Sequence, residues 1–159
     1  MLNPQNKIKT VEQLITELVI HVANKIVFTN GCFDILHYGH FNLLLDAKSF
    51  GDTLIVAINS DKSVIRLKGN SRPINDQNIR AFNIACIGCV DYVIIFDEDT
   101  PYELLSKLQY HGLQLIDTIV KGGDYRIEDV VGHNIIHETK IVPIVGGYST
   151  SKIIDILKI

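Results

Sequence analysis

The sequence predicts a single α/β domain built on a doubly wound parallel sheet of five strands. Short apolar runs rich in Ile and Val alternate with segments that repeat apolar residues at helical spacing. The runs are apolar at successive positions, as in strands covered by helices on both faces. A length of 159 residues suits one domain, and no internal repeat or linker divides it. Together these observations predict a Rossmann-like architecture.

The first half of the chain is predicted to hold two strands and four helices. In order, these are a helix over 10–22, a strand over 25–30, a helix over 39–50, a strand over 53–58 and two helices over 61–67 and 75–87. Thr10 is a good N-cap for the first helix, and Asn75 or Asp76 for the fourth. Gly31 ends the first strand, and Gly51 is expected at the C′ position of the second helix.

The second half continues the alternation. It is predicted to hold a strand over 91–96, a helix over 101–110, a strand over 118–120, a further helix, a strand over 140–144 and a final helix over 149–157. Pro101 suits the first position of its helix, where its missing N–H costs nothing. The strands are the most apolar and β-branched runs of this half.

The composition excludes several functions. The chain has 15 Lys and Arg against 18 Asp and Glu, a net charge of −3, so it lacks the basic surface of a general nucleic-acid binder. No apolar run approaches the roughly 18 residues that cross a bilayer, and the N-terminus lacks the apolar core of a secretion signal. We expect no nucleic acid and no membrane as partners. Three Cys, an odd number, favour a reducing cytoplasm over a disulfide framework.

The segment after the first predicted strand carries the strongest functional signal. His37 and His40 flank the entry of a helix, with Gly39 between them. In a parallel sheet, ligands bind beyond the carboxyl ends of the strands, and helix N-termini favour anions. Gly39 lets a phosphate approach the backbone without a Cβ in the way. This predicts a triphosphate site rather than a zinc site, because two imidazoles without a third ligand hold zinc poorly.

Other polar residues follow the strands and have alternative interpretations. Lys68 lies in a loop from which its charge reaches bound phosphates, or it is an ordinary solvated lysine. Arg72 is a weaker candidate for a sugar phosphate. Asp34 either binds a substrate hydroxyl, orients a histidine or bonds backbone N–H groups in a turn. Ser149 and Thr150 either cap the last helix or also contact a nucleotide.

Several motifs, taken in order, resemble a known family. The stretch His37-Tyr38-Gly39-His40 resembles the HxGH signature of the nucleotidyltransferase superfamily, which includes the cytidylyltransferases. The resemblance extends to Asn30-Gly31-Cys32-Phe33-Asp34, Arg66-Leu67-Lys68-Gly69, Arg72-Pro73, Val120-Lys121-Gly122-Gly123-Asp124-Tyr125 and Ser149-Thr150-Ser151. Together they resemble the D-glycero-β-D-manno-heptose 1-phosphate adenylyltransferases of ADP-heptose synthesis for lipopolysaccharide.

The resemblance implies transfer of AMP from ATP to the heptose 1-phosphate with release of pyrophosphate. It implies that His37, His40 and Lys68 are catalytic, and that Mg²⁺ arrives on the ATP phosphates without a protein metal site. The residues implied to bind nucleotide or substrate are Asn30, Gly31, Cys32, Phe33, Asp34, Gly39, Arg72, a phosphate-facing Arg80, Lys121, Gly122, Gly123, Asp124, Ser149 and Thr150. We expect a stand-alone cytoplasmic enzyme, a homodimer or larger, with a helical extension over 1–24 before a nucleotidyltransferase domain over 25–159.

Three other functions remain open. Two lie within the superfamily: a glycerol 3-phosphate cytidylyltransferase and an FMN-type adenylyltransferase. Some cytidylyltransferases place an Arg before the last helix, and residues 143–147 contain none. The third is a nucleotide-binding module without catalysis, which the intact His37 and His40 disfavour.

Overall fold

The computed structural model describes residues 3–20, 24–109, 112–123, 125–143 and 148–157. The strands are β1 (Ile8–Lys9), β2 (Ile26–Gly31), β3 (Thr53–Asn59), β4 (Tyr92–Phe96), β5 (Thr118–Gly122) and β6 (Glu138–Val142). The α-helices are α1 (Val11–Ile20), α2 (Tyr38–Ser49), α3 (Asp61–Lys68), α4 (Gln77–Ala85), α5 (Tyr102–Leu108) and α6 (Thr150–Leu157). No described helix is long and apolar enough to cross a membrane.

All strands pair in parallel within one sheet, in the order β1-β4-β3-β2-β5-β6. The chain builds outward from β2 to β4, then returns to place β5 on the other side of β2. The order of succession therefore reverses between β2 and β5, which is where open α/β sheets bind ligands. The predicted Rossmann-like fold class is confirmed.

Among the described residues the sheet has six strands, one more than the five that the sequence predicts. The additional strand, β1, pairs Ile8 with Val93 and Lys9 with Ile94 at the edge of the sheet. Two residues are too few for an alternating pattern to show in the sequence. Its position gives β4 a partner on the side away from β3.

Side chains alternate between the two faces of the sheet and fill one core on each. Ile26 and Phe28 of β2 point to the face covered by α1 and α5, where Leu14 and Leu18 are buried with them. Val27, between them, belongs to the opposite core, under α2 and α4. This period-2 alternation on doubly covered strands explains the continuous apolar runs of the sequence.

The connection between β5 and β6 differs from the predicted helix. It forms a short 3₁₀ turn at Ile127–Asp129, followed by further turns. Gly132 has φ +94°, and a Cβ there would lie 2.4 Å from Leu105 Cδ1. A left-handed residue pressed against the core interrupts a helix, so the apolar residues of this segment pack without helical geometry. Strand β6 begins at Glu138, two residues before the predicted start at 140.

Helix termini follow the predicted caps closely. Thr10 Oγ1 accepts a hydrogen bond from the Gln13 N–H at 3.3 Å, and Gln13 Oε1 accepts one from the Thr10 N–H at 3.0 Å. This reciprocal pair is a capping box. Asp76 Oδ1 accepts bonds from the N–H groups of the second and third residues of α4. Pro101 is the N-cap of α5, one position before its predicted place. The predicted ends of the first and fifth helices, at 22 and 110, lie outside the described residues.

Gly51 follows α2 at the predicted position, but close packing rather than dihedral freedom requires it. A Cβ at Gly51 would lie 2.5 Å from the Lys25 carbonyl oxygen and 2.6 Å from Val27 Cγ2. Helix α2 can turn into β3 this close to β2 only because the side chain is absent. We therefore expect Gly51→Ala to lower the free energy of unfolding by about 1–3 kcal/mol, the usual cost of overpacking.

Urea unfolding followed by circular dichroism measures this change. Gly88→Ala is the matched control, because a Cβ there meets no atom within 4 Å. The control should stay within about 0.5 kcal/mol of wild type. Equal unfolding midpoints for the two variants would contradict the packing argument.

Candidate active site

His37 and His40 stack at the start of α2. His37 is the N-cap residue, and its carbonyl accepts a hydrogen bond from the His40 N–H at 2.9 Å. The two ring centroids are 3.8 Å apart with an interplanar angle of 24°. The His37 ring folds back over Gly39, where a Cβ would lie 3.2 Å from its Nδ1. Gly39 thus lets the imidazole pair form directly on the helix N-terminus.

Burial disfavours the charged form of both imidazoles. Desolvation lowers the pKa of His40 to about 4, with smaller contributions from the charges of His37 and Lys68. Desolvation also lowers the pKa of His37. The Nδ1 atoms of both rings are buried and have no hydrogen-bond partner among the described residues. Buried polar atoms without a hydrogen-bond partner are uncommon in folded proteins.

Phe33 shapes the segment between β2 and α2. Its backbone has φ +48°, the left-handed region that a bulky residue seldom adopts. Its ring is nearly fully buried and tilts against the His40 ring at a centroid distance of 5.2 Å. Gly31 makes room for that ring, because a Cβ there would lie 3.1 Å from Phe33 Cε2. Aromatic packing therefore supports the imidazole pair from beneath.

Asp34 and Arg72 lie in the interior instead of on the surface of a cavity. The Asp34 carboxylate accepts hydrogen bonds from Arg72 Nε at 2.8 Å and from the N–H groups of Ile74 and Asn75 at 2.9 Å. Burial alone would raise the pKa of Asp34, but these donors outweigh it and hold the pKa below its ordinary value. The pair therefore fastens the segment before α4 to the segment that carries the histidines.

Arg80 is fully buried on α4. Its guanidinium donates to the Cys32 carbonyl at 2.6 Å, to the Asn75 carbonyl at 3.0 Å and to Asp61 Oδ1 at 2.8 Å. The sequence resemblance implies an arginine facing phosphate here, but the structure directs all three nitrogens at protein oxygens. Neither Arg80, Arg72 nor Asp34 is brought to the cavity beside the histidines.

That cavity has a volume of about 360 Å³ and lies over the carboxyl ends of β2 and β5. The predicted site residues that line it are Asn30, Gly31, Cys32, Phe33, His37, Gly39, His40, Lys68, Lys121, Gly122, Ser149 and Thr150. Most of the residues predicted from four separate segments thus come together at the switch point of the sheet. Gly123 is buried, with φ +135°, and its N–H donates to the Val142 carbonyl. Asp124 lies outside the described residues.

The two lysines of the cavity differ in environment. Lys68 is the last residue of α3 and its side chain is exposed. Lys121 Nζ donates to the Asn30 carbonyl at 3.2 Å and to Asn30 Oδ1 at 3.0 Å. Burial lowers the pKa of Lys121, against a small opposing effect of Cys32. Lys121 is therefore fixed to the end of β2, whereas the exposed Lys68 side chain can reach toward a ligand.

The start of α6 closes the far side of the cavity. Ser149 Oγ accepts a hydrogen bond from the Lys152 N–H at 3.2 Å, which is a capping contact. Thr150 Oγ1 donates to the Ile35 carbonyl at 3.4 Å. Both alternatives, capping of the last helix alone or capping together with contact to a nucleotide, are compatible with the geometry, because the residues at the start of α6 also line the cavity. Tyr148, which the sequence analysis missed, also lines the wall and packs on Tyr38 at 5.4 Å.

A second cavity of about 390 Å³ adjoins the first. The residues common to both are Asn30, Gly31, Cys32, Lys68, Lys121 and Tyr125. Its other polar residues include Asn59, Asp99 and Asp129. None of these three residues is predicted from the sequence. The position of Asn59 at the carboxyl end of β3 is a signal that could have found it, whereas Asp129 lies in a turn whose place no pattern shows.

The fold and this site define the class of protein. Residues 28–156 match the family described as cytidylyltransferase-like, and the chain belongs to that family. It is 51% identical to the "Bifunctional protein HldE" of Campylobacter curvus over 97% of this chain and 32% of that protein. The protein of the same name from Helicobacter pylori (strain Shi470) is 49% identical over 96% of this chain and 31% of its own length. The chain spans about a third of the length of these curated relatives.

Solved structures agree on the fold. The lipopolysaccharide core biosynthesis protein from Thermoplasma volcanium GSS1 superposes with a TM-score of 0.61 at 29% identity, over 79% of this chain and 99% of that one. The pantoate-beta-alanine ligase from Francisella tularensis superposes with a TM-score of 0.63 over 91% of this chain and 68% of that one. At 18% identity, the second match concerns the fold alone.

The Asp34 contacts predict a pH-dependent loss of stability. Asp34→Asn removes the charge that Arg72 pairs with in the interior, so we expect it to lower the free energy of unfolding by about 3 kcal/mol at pH 7. Because folding lowers the pKa of Asp34, its contribution is complete above the unfolded pKa and disappears as the pH falls through the folded value. The difference between wild type and variant should therefore shrink as the pH falls below about 4.

Urea titrations of both proteins from pH 7 to pH 3 measure that difference. Glu128→Gln is the control, since the Glu128 side chain is 69% exposed and pairs with Arg126 only at 3.5 Å. The control should track wild type at every pH. A difference for Asp34→Asn that stays constant across the range would show that its charge is not the cause.

Proposed function

We propose that the chain transfers AMP from ATP to D-glycero-β-D-manno-heptose 1-phosphate, giving ADP-heptose and pyrophosphate in the cytoplasm. The observation that carries this proposal is the stacked imidazole pair on the N-terminus of α2, facing a cavity that also holds Lys68 and Lys121. Membership of the cytidylyltransferase-like family supports nucleotidyl transfer. The choice of a heptose phosphate rests on the motif resemblance and on the identity to the HldE proteins.

The reaction needs charge stabilisation more than a protein nucleophile. An oxygen of the sugar 1-phosphate attacks the α-phosphorus, a new P–O bond forms, and the bond to the β-phosphate oxygen breaks in line. Negative charge builds on the oxygens of the transferred group and the leaving pyrophosphate. Imidazole N–H groups, lysine ammonium groups and the amides at a helix start are donors suited to that charge.

The histidines are proposed to contact the phosphates directly. In the free protein, burial disfavours the charged form of both rings and lowers their pKa values. A neutral imidazole still donates one N–H, and a bound polyanion favours its protonated form through the nearby negative charge. The lowered pKa values therefore suit a site that admits a triphosphate and then holds it with hydrogen bonds.

The donor set suits phosphate oxygens better than a metal ion. The cavity beside His37 and His40 presents imidazole, ammonium and backbone N–H groups, whereas Mg²⁺ prefers carboxylate, carbonyl and water oxygens. We propose that Mg²⁺ is held by the ATP phosphates and water, where it neutralises charge on them. The contribution of this chain is to position the phosphates around it.

The second cavity is proposed to take the sugar. Its wall contains the Asp129 and Asp99 carboxylates and the buried Asn59, which are hydrogen-bond partners for hydroxyl groups. Lys68 and Lys121 lie in the wall that both cavities share. A sugar 1-phosphate placed with its hydroxyls in the second cavity would bring its phosphate to these lysines. The attacking oxygen would then face the first cavity.

Removing either imidazole should abolish most turnover. We expect His37→Ala or His40→Ala to lower kcat at least about 100-fold with ATP and heptose 1-phosphate, the scale of losing a transition-state donor. Release of pyrophosphate, measured with a coupled assay, reports the rate. His133→Ala is the control, since its ring bonds the Val130 carbonyl and it is not among the described residues that line either cavity.

The same assay decides between substrates. Wild type is offered ATP or CTP with heptose 1-phosphate, glycerol 3-phosphate or FMN. Turnover only with CTP, only with glycerol 3-phosphate or only with FMN would replace the proposed reaction by one of those alternatives. Nucleotide binding without turnover of any pair would mean a binding module.

The role of the second cavity is tested by Asp129→Asn. Loss of a charged hydrogen-bond acceptor should raise the KM for the sugar phosphate about tenfold and leave the KM for ATP nearly unchanged. The neighbouring Glu128→Gln is the control, because Glu128 belongs to the same turn but lines neither cavity. A rise in the KM for ATP alone would place the nucleotide in this cavity instead.

A further inference from the structure

Arg80 is the largest of the fully buried side chains of the described residues, and it is charged. Burying a guanidinium is unfavourable unless all its contacts are good, and a well-packed apolar residue stabilises an interior at least as well. Stability alone therefore does not explain an arginine here. The three oxygens that it contacts suggest what it is for.

Each partner of Arg80 belongs to a different segment of the site. The Cys32 carbonyl lies in the segment that leads from β2 to the histidines, at 2.6 Å. Asp61 is the first residue of α3, at 2.8 Å, and the Asn75 carbonyl lies just before α4, at 3.0 Å. One planar group thus fixes three segments relative to one another, which a single lysine ammonium on a flexible stem cannot reproduce.

The contact with Asp61 bears on Lys68, because both belong to α3. Asp61 is at the start of this helix and Lys68 at its end, about 10 Å away along the axis. Gln77 of α4 strengthens the same end, since its side-chain oxygen accepts a hydrogen bond from the Asp61 N–H at 3.0 Å. A change in the position of Asp61 therefore moves the helix that carries Lys68.

After Lys68 the chain runs through an exposed stretch and is then attached to the interior at Arg72. Gly69 has φ +88°, and a Cβ there would meet no atom within 4 Å, so residues 69–71 run over open space. Arg72 then returns to the interior and binds Asp34. Lys68 is thus attached on both sides to the segment of the histidines, through Arg80 before it and through Asp34 after it.

We propose that Arg80 is a positioning residue, which aligns Lys68 with the histidine pair and does not itself contact phosphate. The proposal rests on the proposed function. Arg80 acts through two observed links, the Cys32 carbonyl on the histidine side and Asp61 on the lysine side. Its effect on the reaction should therefore depend on the presence of Lys68.

A double-mutant cycle tests this dependence. The proteins are wild type, Arg80→Lys, Lys68→Ala and the double variant, all assayed below the unfolding temperature of the least stable one. We expect each single variant to lower kcat/KM for ATP about 10- to 100-fold, since a misplaced group costs as much as a missing one. In the double variant, Arg80→Lys should add less than about threefold to the loss from Lys68→Ala. Arg126→Lys is the control, because that side chain is 80% exposed, and it should keep wild-type kinetics.

Two results would overturn the proposal. A folded Arg80→Lys protein with wild-type kcat/KM would show a purely structural arginine. Losses that multiply in the double variant would show that Arg80 acts independently of Lys68, as direct phosphate contact requires. If wild type itself does not turn over, the proposed function fails, and the same cycle is measured on ATP affinity by calorimetry. There, losses that multiply again contradict the positioning role, and losses that do not multiply support it.

Discussion

The organisation of the site depends on one buried carboxylate. Asp34 lies between β2 and α2, at whose start the two imidazoles stand. Its carboxylate accepts hydrogen bonds from the Arg72 side chain and from two backbone N–H groups. Together these contacts keep the carboxylate charged in the interior and fix the course of the chain from 32 to 36. That segment determines the positions of the histidines and of Phe33, and with them the position of the cavity. The attraction between the carboxylate and its donors thus fixes the geometry of the backbone that leads to the histidines.

In the proposed function, polyanions would be bound by local donors and not by a charged surface. The net charge of the chain is −3, and the groups that line the first cavity include two imidazoles and two lysines. Burial lowers the pKa values of His37, His40 and Lys121, because desolvation disfavours their charged forms. A polyanion bound there would supply negative charge that favours the protonated forms again.

The sequence was most informative where a pattern reports local geometry. Apolar runs, helical spacing and capping residues predict strands and helices because the backbone imposes their periods, and His37 with His40 could be placed on a helix start for that reason. Because parallel strands end on one edge of the sheet, segments distant in sequence could be expected to converge there. That reasoning singled out His37, Gly39, His40, Lys68, Ser149 and Thr150, and the family resemblance added the other predicted residues that line the cavity.

What could not be predicted depends on long-range packing. The residue types of Asp34, Arg72 and Arg80 do not determine whether these side chains face water, phosphate or one another. Only the folded arrangement determines which environment each side chain has. The two-residue strand β1 lacks a repeat to detect, and the turns before β6 follow from the contact of Gly132 with Leu105. Asp129 lines a cavity because of the path of a turn, and turns have no repeating sequence pattern from which that position could be predicted.

Strand β1 also determines how the sheet meets its surroundings. Without it, β4 would offer an open row of N–H and C=O groups along an apolar strand, the kind of border at which chains of different molecules add to one another. Here that border is occupied by Ile8 and Lys9, and Lys7 Nζ donates to the Ile87 and Val90 carbonyls just before β4 begins. The segment before α1 thus covers this edge of β4, so that the apolar strand pairs within its own molecule.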